Sequence, residues 1–433
     1  MTPIQAGIAG CIALLVFLAA SMPVAFSMAL VGVAGFAFLV TPTAALSMAT
    51  TDLYETFSSY SLTVIPLFVL MGQVCFHVGI SRRLFHAAYQ WLGALPGGLA
   101  MATVGACTAF GAICGSGPAT AATMASVALP EMRRYKYSME LAAGAVASGG
   151  SLGMLIPPSV VFIVYAIITE NSIGKLFIAG ILPGLLIAAL FCITIYIECK
   201  IRPELGPAGP RTSWREKFRS LLGVSETLIL FVVVIGGMFG GYFTPTEAAS
   251  VGAAGSLVIA LVRRALTWKI LVRVLFETLR TSCMVMVIVA GAVIFGRFLA
   301  ITRIPFELAA WLGGLPLPGA VILLFIILFY LVSGCFVDAL ALVLLTVPIF
   351  YPVVVNLGYD PVWFGVIIVV VTQMGVISPP VGVNVYVVAG IARDIPLTTV
   401  FRGAMPFLLA LVVAAVVLVF FPQLVLFLPN LVL

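Results

Sequence analysis

The sequence predicts an all-α polytopic membrane protein. Its plan is an inverted repeat of about five spans per half, with two re-entrant helical hairpins and two broken helices. Three observations lead there. Apolar residues make up 63% of the 433 and charged residues only 8%. A soluble domain needs far more charge to coat its surface, so lipid or protein must serve as solvent for most of this chain. Two long apolar runs, 97–130 and 317–350, are each broken in the middle by a polar or Gly-rich stretch. Landmark residues recur at a nearly constant offset of 222.

A spanning helix needs about 20 apolar residues. Uninterrupted runs place spans at 4–21, 23–41, 61–80, 173–198, 223–243, 247–264, 281–301 and 399–428. No Lys or Arg precedes the first run and no small-residue cleavage site follows it, so a retained helix is expected rather than a signal peptide. Two further spans, 139–168 and 362–391, are interrupted by Gly153-x-x-x-Pro157-Pro158 and Gly375-x-x-x-Pro379-Pro380. Each proline removes a backbone donor and forces the residue before it into an extended conformation, which frees carbonyls inside the span. The run 97–130 turns at Gly115-Ser116-Gly117-Pro118, and 317–350 turns between Ser333-Gly334 and Asp338. Irregular backbone at membrane depth is tolerated only inside protein or beside a wet cavity, so both runs are expected to be re-entrant hairpins.

Charge tests this topology. With both hairpins entering and leaving on one side, and with the loop 199–222 in the cytoplasm, 18 of the 21 basic residues fall on the cytoplasmic side. Only Lys175, Arg297 and Arg303 face outward, as the positive-inside rule requires. Both termini are then expected outside. The net charge of +6 reads as cytoplasmic loops facing anionic lipid rather than as a nucleic-acid surface.

The repeat is read from matched landmarks. Trp91-Leu-Gly-Ala-Leu-Pro96 returns as Trp311-Leu-Gly-Gly-Leu-Pro316, Pro23 maps to Pro245, Pro130 to Pro352 and Tyr137 to Tyr359. Five crossings per unit is an odd number, so the second copy is inverted. This divides the chain into a first repeat (1–198), a cytoplasmic linker (199–222) and a second repeat (223–433).

Inverted repeats with interrupted helices are the sequence sign of a secondary transporter, whose sites lie where unwound backbone exposes carbonyls and helix dipoles. The sequence marks two such places. Ser116, Gly149, Gly153 and Pro157 form the first expected sodium site; Gly334, Asp338, Thr372, Gly375 and Pro379 form the second. Carbonyls and hydroxyls with little carboxylate suit a hard monovalent cation and carry protons poorly. Substrate is expected at Ser116, Gly117, Pro118 and Asp338, with Arg297 as a candidate positive element. Two readings stand for Asp338: a functional intramembrane acid, or the N-cap of the returning half-helix. Arg297 could attract an anion or merely snorkel to the interface. Thr244-Pro245-Thr246-Glu247 reads as a capping box.

Other classes fall away. The eight cysteines form no C-x-x-C pair and read as small buried hydrophobes. His77 and His86 join no catalytic constellation, so an intramembrane protease or metal enzyme is not expected, and no cofactor is. No G-x-x-x-x-G-K-[ST] loop is present, so transport must run on a gradient or on another chain's ATPase.

With these residues quoted, Gly115-Ser-Gly-Pro-Ala-Thr-Ala-Ala-Thr123, Gly149-Gly-Ser-Leu-Gly-Met-Leu-Ile-Pro-Pro158, Thr244-Pro-Thr-Glu-Ala-Ala249 and Gly375-Val-Ile-Ser-Pro-Pro380 resemble the large membrane subunit of tripartite ATP-independent periplasmic (TRAP) transporters. The resemblance covers essentially the whole chain. It implies a scaffold domain plus a moving domain that carries both hairpins, and a sodium-driven elevator. It also implies two separate partners in the bacterial inner membrane and periplasm: a small four-helix membrane subunit and a soluble substrate-binding protein. The chain starts directly at its first repeat, so the small subunit is expected as another polypeptide. The implied cargo is an organic acid such as a C4-dicarboxylate, a sialic acid or a keto acid. The alternatives are a stand-alone sodium/dicarboxylate transporter of the same superfamily and a non-transporting membrane scaffold.

Overall fold

The computed structural model describes residues 1–210, 212–313 and 317–432. Arg211, Gly314, Leu315, Pro316 and Leu433 lie outside the described residues, as do the side chains of Ala309, Leu312 and Gly313. The end of the Trp311–Pro316 motif and one linker cation therefore fall outside.

Among the described residues every regular element is a helix. The first half runs α1 (Pro3–Ala19), α2 (Val24–Leu39), α3 (Pro42–Ser58), α4 (Val64–His77), α5 (Ile80–Leu92), α6 (Gly98–Cys114), α7 (Gly117–Arg134), α8 (Met139–Ser151), α9 (Val160–Thr169) and α10 (Ile173–Ile201). After α11 (Trp214–Leu222) come α12 (Ser225–Phe231) and α13 (Gly237–Phe239), joined by a π-helical turn at Val232–Gly236. The remainder is α14 (Pro245–Val262), α15 (Trp268–Thr302), α16 (Ile304–Gly313), α17 (Gly319–Gly334), α18 (Ala339–Asn356), α19 (Pro361–Gly375), α20 (Val383–Ile391), α21 (Leu397–Phe420) and α22 (Gln423–Val432).

Local chemistry sets many of these boundaries. Thr2 caps α1 and Thr244 caps α14 through complete capping boxes with Gln5 and Glu247. Ser159 caps α9, Ser172 caps α10, and Asp360 accepts from the Val362 and Trp363 amides at the start of α19. Each supplies an acceptor for first-turn amides that have no partner inside the helix.

Several sequence expectations need correction. The helices α3, α5, α11 and α16 were not announced by apolar runs. In α5 the apolar residues Ile80, Leu84, Phe85 and Ala87 are buried while Arg82 is exposed, a helical periodicity that a search for continuous apolar stretches misses. The span expected at 281–301 belongs to a 35-residue helix, α15, because Thr267 caps it far upstream and the charges at 269–280 are compatible with helix. The run 399–428 divides at Phe421–Pro422 into α21 and α22.

Five described helices are long and apolar enough to cross a membrane: α10, α14, α15, α18 and α21. The bent pairs α3–α4 (55°) and α11 to α13 (58°) bring the number to seven if each pair counts as one span. Shorter apolar helices complete the set: α1, α2, α6, α9, α17, α19 and α22.

The centre is formed by α8 and α19. Every residue of α8 from Leu141 to Ser151 is buried, and so is every residue of α19 from Val362 to Gly375. A helix enclosed on all sides must be apolar or small all round. In α8 the residues are small: Gly144 packs so closely on Gly403 of α21 that a Cβ at either would collide with backbone. Small residues of this kind let backbones approach where no water is present to drive association.

Candidate functional site

Both interrupted runs do turn back. α6 packs against α7, and α17 against α18. Gly115 adopts a left-handed φ of 66°, which ends α6, and Ser116 then leads into α7 with Pro118 in its first turn. Ser116 makes no side-chain cap bond, so the first amides of α7 remain available at the tip. At the second tip Asp338 is the N-cap of α18, accepting from the Leu340 amide at 3.0 Å. The capping reading of Asp338 is therefore correct, and the residue also faces a cavity.

That cavity, of about 400 Å³, is where the two tips meet. Ser116, Gly117 and Pro118 line one wall and Asp338 with Ala339 another, while α4 and α15 close the third with Gln73, Glu277 and Thr281. No Lys or Arg lines it among the described residues. The structure thus brings together four of the five residues expected at the substrate. The fifth, Arg297, is elsewhere: its guanidinium lies 3.3 Å from Asp52 on α3, whose side chain is almost wholly buried.

Each tip is tied to the broken helix beside it. The Val160 amide donates to the Gly115 carbonyl at 3.3 Å, and the Val381 amide donates to the Cys335 carbonyl at 3.2 Å. The gaps between α8 and α9 and between α19 and α20 hold the two Pro-Pro pairs, whose internal peptides are both cis.

In the first half, Gly153 lies under the tip. A Cβ there would stand 2.6 Å from Thr120 Oγ1 and 2.8 Å from the Ser116 carbonyl oxygen. Thr120 Oγ1 is buried and meets no hydrogen-bond partner among the described residues. Two oxygens therefore pack against Gly153 so closely that only glycine fits beneath the tip. Gly149 is one turn away and packs on Cys107 rather than on the tip. In the second half, Gly375 approaches Gly334 so closely that a Cβ would reach 2.5 Å from the Gly334 carbonyl oxygen. Thr372 is fully buried one turn earlier, its hydroxyl donating to the Val369 carbonyl at 2.9 Å.

Between the two broken helices the structure adds polar groups that pattern reading missed. Gln373 Nε2 donates to the Ser151 carbonyl and Asn384 Nδ2 to the Ala147 carbonyl, each at 3.0 Å. Both side chains are fully buried, and Gln373 Oε1, Asn384 Oδ1 and Ser148 Oγ find no partner among the described residues. Amide residues inside apolar runs were the available signal. Glu277 was missed because it precedes the apolar run at 281; it sits inside α15 with Oε2 2.9 Å from His77 Nε2 of α4.

All eight cysteines are free thiols, and no cluster of three or more His, Cys, Asp or Glu able to hold a metal ion occurs among the described residues.

Residues 11–424 match the model of the family described as "Tripartite ATP-independent periplasmic transporter, DctM component". The chain is 40% identical over 393 residues to the C4-dicarboxylate TRAP transporter large permease protein DctM of Pseudomonas aeruginosa, covering 90% of this chain and 91% of that one. It is 36% identical over 414 residues to the sialic acid TRAP transporter large permease protein SiaM of Vibrio cholerae, covering 95% and 96%. Among solved structures, the YdaH transporter of Alcanivorax borkumensis superposes with a TM-score of 0.58 at 16% identity, over 87% of this chain and 89% of that one, a likeness of fold alone.

Proposed function

This chain belongs to the DctM component family of tripartite ATP-independent periplasmic transporters, and from that premise we propose that it is the large permease subunit of a sodium-coupled importer of an organic acid. It is an integral protein of the inner membrane. Family membership supports this reading over the stand-alone carrier and the non-transporting scaffold. The relatives named for C4-dicarboxylates and sialic acid are carboxylate carriers, which supports a carboxylate cargo here. The partners in this reading are a small four-helix membrane subunit and a periplasmic binding protein that delivers the cargo.

Both hairpin tips line one cavity, and among the described residues no basic side chain stands in its wall; this carries the proposal. An anionic cargo needs a positive field there. The first turn of α7, which no side chain caps, points its N-terminal end at the space, and helix N-termini favour anions, whereas that of α18 is met by the Asp338 carboxylate. Bound cations supply the rest. The oxygens of Ser116 and Thr120 over Gly153, and the carbonyl-rich approach of Gly334 and Gly375 below Thr372, suit sodium as a hard cation that takes oxygen ligands. Cargo and sodium then stabilise each other's occupancy, which is coupling in the thermodynamic sense.

The position of the cavity supports an elevator. The tips face α15 at Glu277–Val285, the half of that helix whose N-terminal end carries Lys269 and Arg273. By the charge rule this half is cytoplasmic. In this reading the cavity is in its inward-facing position. Outward loading requires the hairpins and broken helices to slide as a body along α4 and α15 toward the periplasm. The two halves act as an inverted repeat in this scheme, supported by the nearly equal offsets of α7 and α18 and of α9 and α20.

The test is uptake of a radiolabelled C4-dicarboxylate or sialic acid by proteoliposomes holding this chain with a small four-helix subunit. Uptake only when the matching binding protein is added supports the tripartite reading. Efficient uptake without it favours a stand-alone carrier.

A further inference from the structure

A second cavity, of about 980 Å³, lies away from the hairpin tips, on the face that the basic residues assign to the cytoplasm. Its walls are α5, the last turns of α7, and the linker helix α11. The linker is fastened over it: the Gly209 amide donates to the Gly93 carbonyl at 2.8 Å, and Thr212 Oγ1 donates to the Gln90 carbonyl at 2.6 Å.

Four arginines line the space: Arg82 and Arg83 from α5, Arg134 from α7 and Arg219 from α11. The carboxylates in the lining are Glu131 and Glu216, while Glu226, paired with Arg263, acts on Arg83 from outside it. Glu131 stands 4.0 Å from Arg134. Glu216 is engaged by Ser213, accepting from its amide and its hydroxyl at 2.9 Å each. Arg82, Arg83 and Arg219 make no ion pair among the described residues. Arg83 Nη2 and Tyr89 Oη are shut away from solvent without a hydrogen-bond partner among the described residues. Donors of this kind, on several guanidinium groups around one space, match the oxygens of a phosphate group.

The cavity's rim indicates what carries the phosphate. Along α11, Trp214, Phe218 and Leu222 recur every fourth residue and are all exposed. Trp214 meets Trp91 edge-on at 6.4 Å, and Lys217 Nζ lies 4.9 Å from the Trp214 ring centre. An amphipathic helix with aromatic residues on one side and basic residues on the other lies in the membrane interface. A soluble phosphate would use the arginines and leave this ridge bare.

We propose that the cavity binds the phosphate headgroup of an anionic phospholipid from the cytoplasmic leaflet, with the acyl chains lying along Trp214, Phe218 and Leu222. The lipid joins the linker to the base of the first hairpin. Nothing in this assignment depends on the transported cargo.

The test is native mass spectrometry of the full chain in detergent, titrated with phosphatidylglycerol or phosphatidylcholine. The wild type should retain phosphatidylglycerol preferentially. Arg83→Gln with Arg219→Gln should weaken that retention, by roughly fivefold for each arginine removed. Arg219 is exposed, so Arg219→Gln alone serves if the double variant fails to fold. Lys269→Gln, outside the cavity, should change nothing. Trp214→Ala with Phe218→Ala should weaken lipid retention as well. Equal retention by the arginine variants, or an equal loss in Lys269→Gln, would overturn the site. Displacement of the lipid by inorganic phosphate, with no effect of the Trp214 and Phe218 changes, would assign a soluble phosphate and overturn the lipid.

Discussion

Gln373 of α19 donates its side-chain amide to the carbonyl of Ser151 at the end of α8, 3.0 Å away, and so links the two broken helices at the centre of the fold. Both residues are fully buried. A buried carbonyl that loses its donor carries its desolvation penalty unrelieved. Gln373→Leu should therefore destabilise the protein by about 1–3 kcal/mol. Thermal unfolding of the purified variant in detergent, followed by tryptophan fluorescence, reads this directly. An unchanged melting curve would show that the cross-link contributes nothing.

Thr120 and Gly153 carry the next prediction. Thr120→Val removes a buried hydroxyl with no hydrogen-bond partner among the described residues and keeps the volume, and Gly153→Ala drives a methyl against Thr120 Oγ1 and the Ser116 carbonyl and pushes them apart. Each change should raise the sodium concentration for half-maximal uptake by about tenfold, the equivalent of one lost charge-assisted contact. Apparent cargo affinity at saturating sodium should stay near that of the wild type. A lower maximal rate with an unaltered sodium dependence would place the cation elsewhere.

Arg297 pairs with Asp52. Its exposed guanidinium meets an Asp52 carboxylate that is almost wholly enclosed. Arg297→Gln should cost about 1–3 kcal/mol of stability, since a buried carboxylate loses its counter-charge while the arginine side is partly screened by solvent. Cargo affinity should be unaffected. A large rise in the apparent KM of a variant that unfolds normally would return Arg297 to the substrate path.

The loop 199–222 is expected in the cytoplasm. Ser213→Cys, in a background without native cysteines, should resist membrane-impermeant maleimide in intact cells and react after permeabilisation. Ser213 is exposed and opens the capping box of α11, so accessibility and not burial controls labelling. Ready labelling of intact cells would invert the topology.

The parts legible in the sequence share one cause: they depend on local backbone chemistry. Glycine and proline at 115–118 and at the Pro157 and Pro379 pairs mark broken backbone wherever the chain goes, so the tips and gaps were visible. Asp338 was visible as an acid in an apolar run, with capping of the returning helix as one of the two readings open for it. The rest depends on partners remote in sequence. Asp52 answers Arg297 across 245 positions, and His77 answers Glu277 across 200. Gln373 has meaning only when α8 lies against it. The helices α5 and α11 were hidden because they carry their apolar residues on one face, and a search for continuous apolar runs cannot register a face.

In the proposed mechanism sodium at the hairpin tips drives uptake. The direct measurement is binding-protein-dependent uptake by proteoliposomes, with an inward gradient of sodium or of potassium at equal ionic strength. Uptake should collapse to background in potassium and return with sodium. Uptake that proceeds equally well in potassium would contradict the account.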